Sequence, residues 1–282
     1  MSGSLYLVAT PIGNLGDISR RMVETLEQVD FIAAEDTRVT IKLLNHLGLR
    51  KAMVSYHRHN AGSGGAVILE RILQGENCAL VTDAGTPAIS DPGEELVELC
   101  AQNGIPVYAI PGPCALVNAL ALSGLPTGRF TFEGFLAMNK KNRKAHLQSL
   151  LKEERTMIFY EAPHKLPSTL ADLRDAFGKE RRISLCRELT KLHEEVRRTT
   201  LEEAAAYYGE HTPKGEFVLV IEGAKPESIP ERSLEERLQL VDRLQNEEGH
   251  SLRDAVRQIA EAEGCSRKEL YDAAIAVKKE AD

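Results

Sequence analysis

The stretch Ala79-Leu-Val-Thr-Asp-Ala-Gly-Thr-Pro-Ala-Ile-Ser-Asp-Pro-Gly93 changes character midway. Ala79–Thr82 is apolar and β-prone. The Asp, Gly, Pro and Ser residues that follow are the punctuation that ends a strand, and a helical pattern starts at 93. The same succession of apolar run, turn and helix repeats through the first 110 residues. The runs are Leu5–Ala9, Val29–Ala34, Ala52–Tyr56, Ala79–Thr82 and Pro106–Ile110, with helix-like stretches near 19–28, 37–47, 64–74 and 93–103. Near-continuous apolar strands alternating with helices indicate an α/β fold with a largely parallel sheet covered on both faces.

Beyond this unit, Ala115–Leu122 reads as a small-residue apolar helix and 123–128 (SGLPTG) as a linker. Thr131–Phe135, Thr156–Tyr160, Arg182–Cys186 and Glu216–Glu222 read as strands, with helices over 142–152, 166–176 and 200–208. This predicts a second α/β unit. Composition shifts at Lys225, where Pro226 and Pro230 mark a linker, and 233–282 is helical and highly charged. Ser251 caps one helix there, and Gly264-Cys-Ser266 breaks it before another at Arg267–Lys278. That spacing fits a helix-turn-helix or a plain helical hairpin. Ten basic against fourteen acidic residues from Lys225 onward weigh against simple DNA binding. The expected domains are 1–122, 123–224 and a C-terminal helical domain at 225–282.

Composition narrows the function classes. With 43% hydrophobic and 27% charged residues among 282, a mainly disordered chain is excluded. No apolar run reaches the ~18 residues of a membrane span, and MSGSLYLVATPIG lacks the basic start of a signal peptide. The expectation is a soluble cytoplasmic protein with no membrane partner. Five cysteines without a CxxC pair fit reduced thiols rather than a zinc ribbon or redox dithiol. The net charge of −7 argues against indiscriminate nucleic-acid binding, yet allows a local basic site.

Function concentrates at the turns. The five strands of the first unit end in Thr10-Pro-Ile-Gly-Asn-Leu-Gly-Asp17, Ala34-Glu-Asp-Thr-Arg38, Tyr56-His-Arg-His-Asn60, Thr82 to Gly93, and Ile110-Pro-Gly-Pro-Cys114. Strand C-termini in an open parallel sheet share one edge, where ligands bind. Familiar alternatives fail. There is no phosphate loop of the GxxxxGK type, no GxSxG and no HExxH, and Gly62-Ser-Gly-Gly-Ala66 has Val67 where a dinucleotide fingerprint needs its third glycine. His57 and His59 lack an obvious third ligand, so no metal is expected. Cys114 sits in an apolar setting that suits an inert thiol.

Taken in order, TPIGNLGDIS, AEDTR, YHRHN, TDAGTPAISDPG, PGPCA, FYEAPHKL, RELTKLHEE and GEFVLV resemble the tetrapyrrole-methylase-like superfamily. Within it they resemble the bacterial 16S rRNA cytidine 2′-O-ribose methyltransferases, from about Leu5 to Gly223 and again in the helical tail. The resemblance implies two α/β domains with S-adenosyl-L-methionine in the cleft between them, a homodimer, and a substrate in the small ribosomal subunit at its decoding centre. It carries cofactor contacts onto Pro11, Asp83, Gly85, Thr86, Ala88, Ile89 and Ser90, then Pro111, Gly112 and Cys114. From the second domain it adds Gly134, Phe135, Leu136, Tyr160, Glu161, Gly215, Glu216 and Phe217. The chain departs from the family pattern at Cys114, where Ser is usual, and at Arg58, where Glu is usual. Ala137-Met-Asn-Lys also replaces the usual Pro and Arg after GFL.

Methylating a ribose hydroxyl needs alignment and benefits from a base. Glu35, Asp36, His57 and Asp17 are the candidates, and Glu35 and Asp36 could equally cap the next helix or pair with Arg38. For RNA phosphates, Lys140, Lys141, Arg143 and Lys144 form a basic run, expected in a loop before a helix. Arg20, Arg21 and Arg38 could extend the strip, Arg197 and Arg198 less so. The competing readings are a superfamily enzyme acting on a small tetrapyrrole-like molecule and a non-catalytic RNA-binding protein.

Overall fold

The structure, a computed structural model, describes residues 2–225 and 232–281, so Pro226 and Pro230 of the expected linker lie outside the described residues. The chain divides into two compact units between Ala224 and Lys225.

The first unit opens with five short strands, β1 (Leu5–Val8), β2 (Phe31–Ala34), β3 (Ala52–Ser55), β4 (Cys78–Val81) and β5 (Val107–Ile110). They lie in the order β3-β2-β4-β1-β5 with every pairing parallel, as the apolar runs predict. The intervening helices are α1 (Arg20–Gln28), α2 (Thr37–Leu47), α3 (Ala61–Leu73) and α4 (Glu94–Gln102). Both sheet faces are covered. Leu5, Phe31 and Leu80 pack under Ile68, Ile72 and Leu96 on one side. Val8, Ile32 and Val81 pack under Met22, Leu26 and Leu44 on the other. Each such fully buried aliphatic side chain contributes roughly 1.5–3 kcal/mol. Caps fix where the helices begin. Ser19 accepts from the Met22 amide at α1, and Asp36 from the Arg38 amide at α2. The connections after β1 and β4 leave in opposite directions, so the crevice of the sheet opens between these two strand ends. Thr10 and Gly85 bridge it with paired backbone bonds of 2.9 and 3.1 Å.

Helix α5 (Ala115–Leu122) leads into a second sheet. Its strands are β6 (Phe130–Phe135), β7 (Thr156–Glu161), β8 (Arg182–Arg187), β9 (Glu195–Thr200) and β10 (Phe217–Ile221), in the order β6-β7-β10-β8-β9. Only β6 and β7 run parallel; the other pairings are antiparallel. Helices α6 (Lys140–Ser149), α7 (Leu166–Phe177) and α8 (Leu201–Glu210) complete the layer. Helix α5 lays Leu116, Ala119 and Leu120 on Ile158, Val218 and Val220. The opposite face buries Met157, Phe159 and Leu219 with Leu170, Leu173 and Leu201.

Two expectations are corrected here. Strand β9 was not anticipated: Glu195, Arg197 and Arg198 belong to an edge strand, a position that tolerates charged residues. The basic run is not a loop before a helix. Asn139 caps α6 by accepting from the Lys141 and Asn142 amides, so Lys140, Lys141, Arg143 and Lys144 sit in the first turns of the helix itself.

The second unit holds α9 (Leu234–Asn246), α10 (Leu252–Glu263) and α11 (Arg267–Ala281). Ser251 caps α10, and Gly264 ends it in the left-handed conformation, as the sequence predicts. Glu263, with its side chain 2% exposed, is held by Arg232 and Arg237.

Candidate active site

The C-terminal edge of the first sheet faces a particular edge of the second. Register places Phe217 of β10 beside Glu161 of β7 and Arg187 of β8. The ends of β7 and β8 and the start of β10 therefore meet on one side. Between the two edges lies a hollow of about 490 Å³. Asp83, Gly85, Thr86, Ile89, Ser90 and Cys114 reach it from the turns after β4 and β5; Phe135, Tyr160, Glu161, Glu216 and Phe217 reach it from the second sheet. An adjoining hollow of about 440 Å³ shares Ile12, Asp83, Ala84, Lys191 and Glu216 with it and takes in Pro11.

The remaining residues expected at a cofactor are outside the lining of both hollows. Ala88 packs beside Gly93, and Leu136 is buried in the core of the second sheet. Gly112 backs onto Ala9, where an added Cβ would come within 2.9 Å of the Ala9 Cβ, and Pro111 precedes it in the same turn. Gly134 faces the Ser90 hydroxyl, 3.5 Å from where its Cβ would lie. Gly215, at φ +82°, leaves room for Glu188, which any Cβ would strike.

The loop from Asp83 to Gly93 is tightly determined. Ala88 and Ser90 adopt positive φ (67° and 64°), costly for non-glycine residues and sustained only by surrounding restraints. The restraints are visible. The Ala88 amide donates to the Pro92 carbonyl (3.3 Å), the Thr86 hydroxyl to the Pro113 carbonyl (3.1 Å), and the Arg58 guanidinium to the Ser90 carbonyl.

Carboxylates crowd this edge. The Asp83 amide donates to Glu35 Oε2 (3.3 Å), and the Asp36 amide to Asp83 Oδ1 (3.2 Å). Burial raises the Glu35 and Asp83 carboxyls above their usual range, and each also feels other carboxylates nearby. Asp36 is different. Its hydrogen bonds from Arg38 lower it to about 2, and its oxygens are committed to the α2 cap and to Arg38, 2.6 Å away. That is the capping alternative, and it leaves Asp36 outside the lining of the hollow. His57 also stays outside the lining, and its Nδ1 is buried with no hydrogen-bond partner among the described residues. Asp17 is exposed on a short 3-10 turn.

The facing wall is largely apolar. Phe135, 53% exposed, meets Tyr160 edge-on at 5.7 Å. Tyr160 Oη accepts from the Leu116 amide (3.1 Å), and Glu161 accepts from the Ala162 amide and the Thr169 hydroxyl. Cys186 and Leu189 extend this wall, and burial lifts the Cys186 thiol to about 11, so it stays protonated and inert. Lys191 joins the walls. Its ammonium bridges Glu188 (2.8 Å) and Glu216 (2.9 Å), while its stem lies over Gly13, where a Cβ would come within 2.5 Å.

The basic residues are dispersed. Lys140, Lys141 and Lys144 are exposed on α6, beside Met138, which is 77% exposed. Arg143 instead turns inward to Asp172 (2.5 Å) and Thr169 (2.9 Å). Arg20 pairs with Glu24 and Arg38 with Asp36, while Arg21 is exposed. Arg197 stacks on Tyr207, and Arg198 donates to the Leu122 carbonyl.

Among the lining residues that sequence reasoning missed, two carry charge, Asp91 and Lys191. Asp91 sits within the quoted loop, and its place between strained Ser90 and Pro92 was the available signal. Lys191 had no local signal, because its partners Glu216 and Gly13 are remote in sequence.

Comparison with known proteins agrees with this architecture. The tetrapyrrole (corrin/porphyrin) methylase family model matches residues 4–205. The chain is 52% identical over 280 residues to ribosomal RNA small subunit methyltransferase I of Synechocystis sp., covering 99% of each. Its similarity to the protein of that name from Haemophilus influenzae is 43% over 278 residues, covering 98% of each. Among solved structures it resembles uroporphyrin-III-C-methyltransferase from Thermus thermophilus at a TM-score of 0.56 and 20% identity, covering 78% of this chain and 94% of that one. The methyltransferase CobJ superposes with a TM-score of 0.59 at 18% identity, covering 79% and 95%. These two likenesses concern the fold. On the family match and the near full-length relatives together, the chain belongs to the tetrapyrrole (corrin/porphyrin) methylase family.

Proposed function

We propose that this chain uses S-adenosyl-L-methionine to methylate the ribose 2′-hydroxyl of a cytidine in 16S rRNA, at the decoding centre of the small ribosomal subunit. The carrying observation is the single hollow into which Asp83, Gly85, Cys114, Tyr160 and Phe217 converge from distant parts of the chain, in a protein 52% identical over its length to a ribosomal RNA small subunit methyltransferase I.

The residues present fit the methyl donor. A hollow of about 490 Å³ is of the size that small-molecule sites show. Cys114, Ala115, Leu189 and Val218 offer an apolar surface for an adenine ring, while Glu35 and Asp83 suit a ligand carrying positive charge. When bound, the donor supplies an activated methyl group, so the protein's own part is alignment and proton management. The strained loop and its ties to Pro113 and Arg58 hold the carboxylate wall before any ligand arrives. Lys191 keeps the Glu216 side against the Gly13 turn. Lys140, Lys141 and Lys144 provide exposed charge for phosphates of the acceptor strand.

The test is transfer of labelled methyl from S-adenosyl-L-methionine to small ribosomal subunits from cells lacking this modification. The expected product resists alkaline cleavage at one ribose. Label on a base, or on a tetrapyrrole precursor in preference to RNA, removes the reading.

A further inference from the structure

We propose that Asp91 is the group that takes the proton from the acceptor hydroxyl. The inference deepens the proposed function and rests on it.

The geometry singles this residue out. Of the carboxylates at the first sheet's edge, Asp36 is spent on a helix cap and an ion pair. Glu35 accepts from the Asp83 amide, and Asp83 from the Asp36 amide. Asp91 lines the same hollow, and no described residue gives its carboxylate a hydrogen bond or an ion pair. A base that must receive a substrate proton needs a free lone pair facing the reaction space, and Asp91 has one. The backbone places it there at a cost, since Ser90 immediately before it holds φ 64°. Arg58 secures that conformation through the Ser90 carbonyl.

The electrostatics agree. Burial, reinforced by the charges of Glu35 and Asp83 and opposed by Arg58, raises the Asp91 carboxyl to about 7. These groups project from the ends of β2, β4 and β3, and Tyr160 faces Asp91 from β7. A carboxylate in that range is a stronger base than an ordinary one and is about half ionised at neutral pH. The step balances. The hydroxyl oxygen forms the new carbon–oxygen bond while the carbon–sulfur bond breaks, its electron pair leaving on a neutral thioether. The hydroxyl proton passes to Asp91 and from there to water.

The experiment measures kcat for methyl transfer to small subunits from pH 5.5 to 9, together with calorimetric affinity for S-adenosylhomocysteine. The wild type is expected to show an acidic limb near pH 7. Asp91→Asn is expected to lose about 10²–10³-fold in kcat and to lose that limb, with the calorimetric affinity within about threefold. Asp91→Glu, which keeps a carboxylate, retains the limb at an intermediate rate. Glu35→Gln removes a like charge, so the limb persists but moves to lower pH. The proposal is overturned if Asp91→Asn keeps the wild-type rate and limb, or loses activity only in step with the affinity. A wild-type protein that binds S-adenosylhomocysteine but methylates no ribose hydroxyl overturns the function reading instead, and the role of Asp91 falls with it. Should Asp91→Asn fail to fold, the limb in Asp91→Glu and its shift in Glu35→Gln decide the matter.

Discussion

The two sheets of the first unit differ in how they gather chemistry. The parallel sheet sends the C-terminal ends of β1, β2, β3, β4 and β5 to one edge, so every turn after a strand contributes there. The mixed sheet brings the ends of β7 and β8 to an edge only by setting the start of β10 between them. The contributions differ in kind. The first edge carries Glu35, Asp83 and Asp91, the last two on a loop of strained and glycine-containing backbone, whereas the second carries Phe135, Tyr160 and Phe217 at strand ends. One wall is built for charge and the other for apolar surface, and only their juxtaposition makes a site.

The largest expected effect breaks the charged wall at its backbone. Gly85 holds φ +90°, pairs with Thr10, and leaves 3.4 Å between an added Cβ and the Ile12 side chain. Gly85→Val places a β-branched residue in a conformation that costs it about 1–3 kcal/mol or forces the crevice to change shape. Calorimetry with S-adenosylhomocysteine is expected to show at least a 100-fold loss of affinity. Affinity within a few-fold of wild type would mean that this turn does not shape the ligand site.

A smaller effect sharpens the contrast on the second sheet's side. Lys140, Lys141 and Lys144 are exposed at the start of α6, and a helix N-terminus disfavours cations, so an anionic partner there would relieve the repulsion. Reversing all three to Glu is expected to weaken binding to small-subunit RNA by at least tenfold and to flatten its salt dependence, with S-adenosylhomocysteine affinity unchanged. Arg143→Gln supplies the internal control. Its guanidinium is committed to Asp172 and Thr169, so this variant is expected to lower the melting temperature and leave the salt slope alone. An unchanged salt slope in the triple variant would take α6 out of the interface.

These differences also explain what the sequence revealed. The strands of the first sheet were legible because residues such as Phe31, Ile32, Ala79 and Leu80 are buried on both faces and read as unbroken apolar runs. Strand β9 was not, because its edge position tolerates Arg197 and Arg198. The start of α6 was misplaced because four basic residues in five suggest a solvated loop, whereas the Asn139 cap decides where the helix begins. The turns announced the site as a region. The standing of each acid within it depends on desolvation and on amide partners that fall elsewhere in the sequence, as Asp36 and Asp91 show.

The smallest effect tests that last contrast through stability. Asp91 titrates near 7 when folded against 3.8 for an unperturbed carboxyl. Between these values the folded chain holds a proton that the unfolded chain has released, so this group costs stability as pH rises through the window. Asn has nearly the shape of the protonated carboxyl and releases no proton. Asp91→Asn is therefore expected to match wild type at pH 4 and to exceed it at pH 8.5. Because the group is partly open to solvent, the gain is discounted to on the order of 1 kcal/mol, roughly 2–4 °C in melting temperature for a unit of this size. Asp36→Asn must show the opposite sign. Its carboxyl is held at about 2 by Arg38, so the native state gains from ionisation above pH 4, and the variant gives up that gain at pH 8.5. Equal melting shifts for the two variants at both pH values would show that the two acids share one environment, and the distinction between capping and reacting carboxylate would be lost.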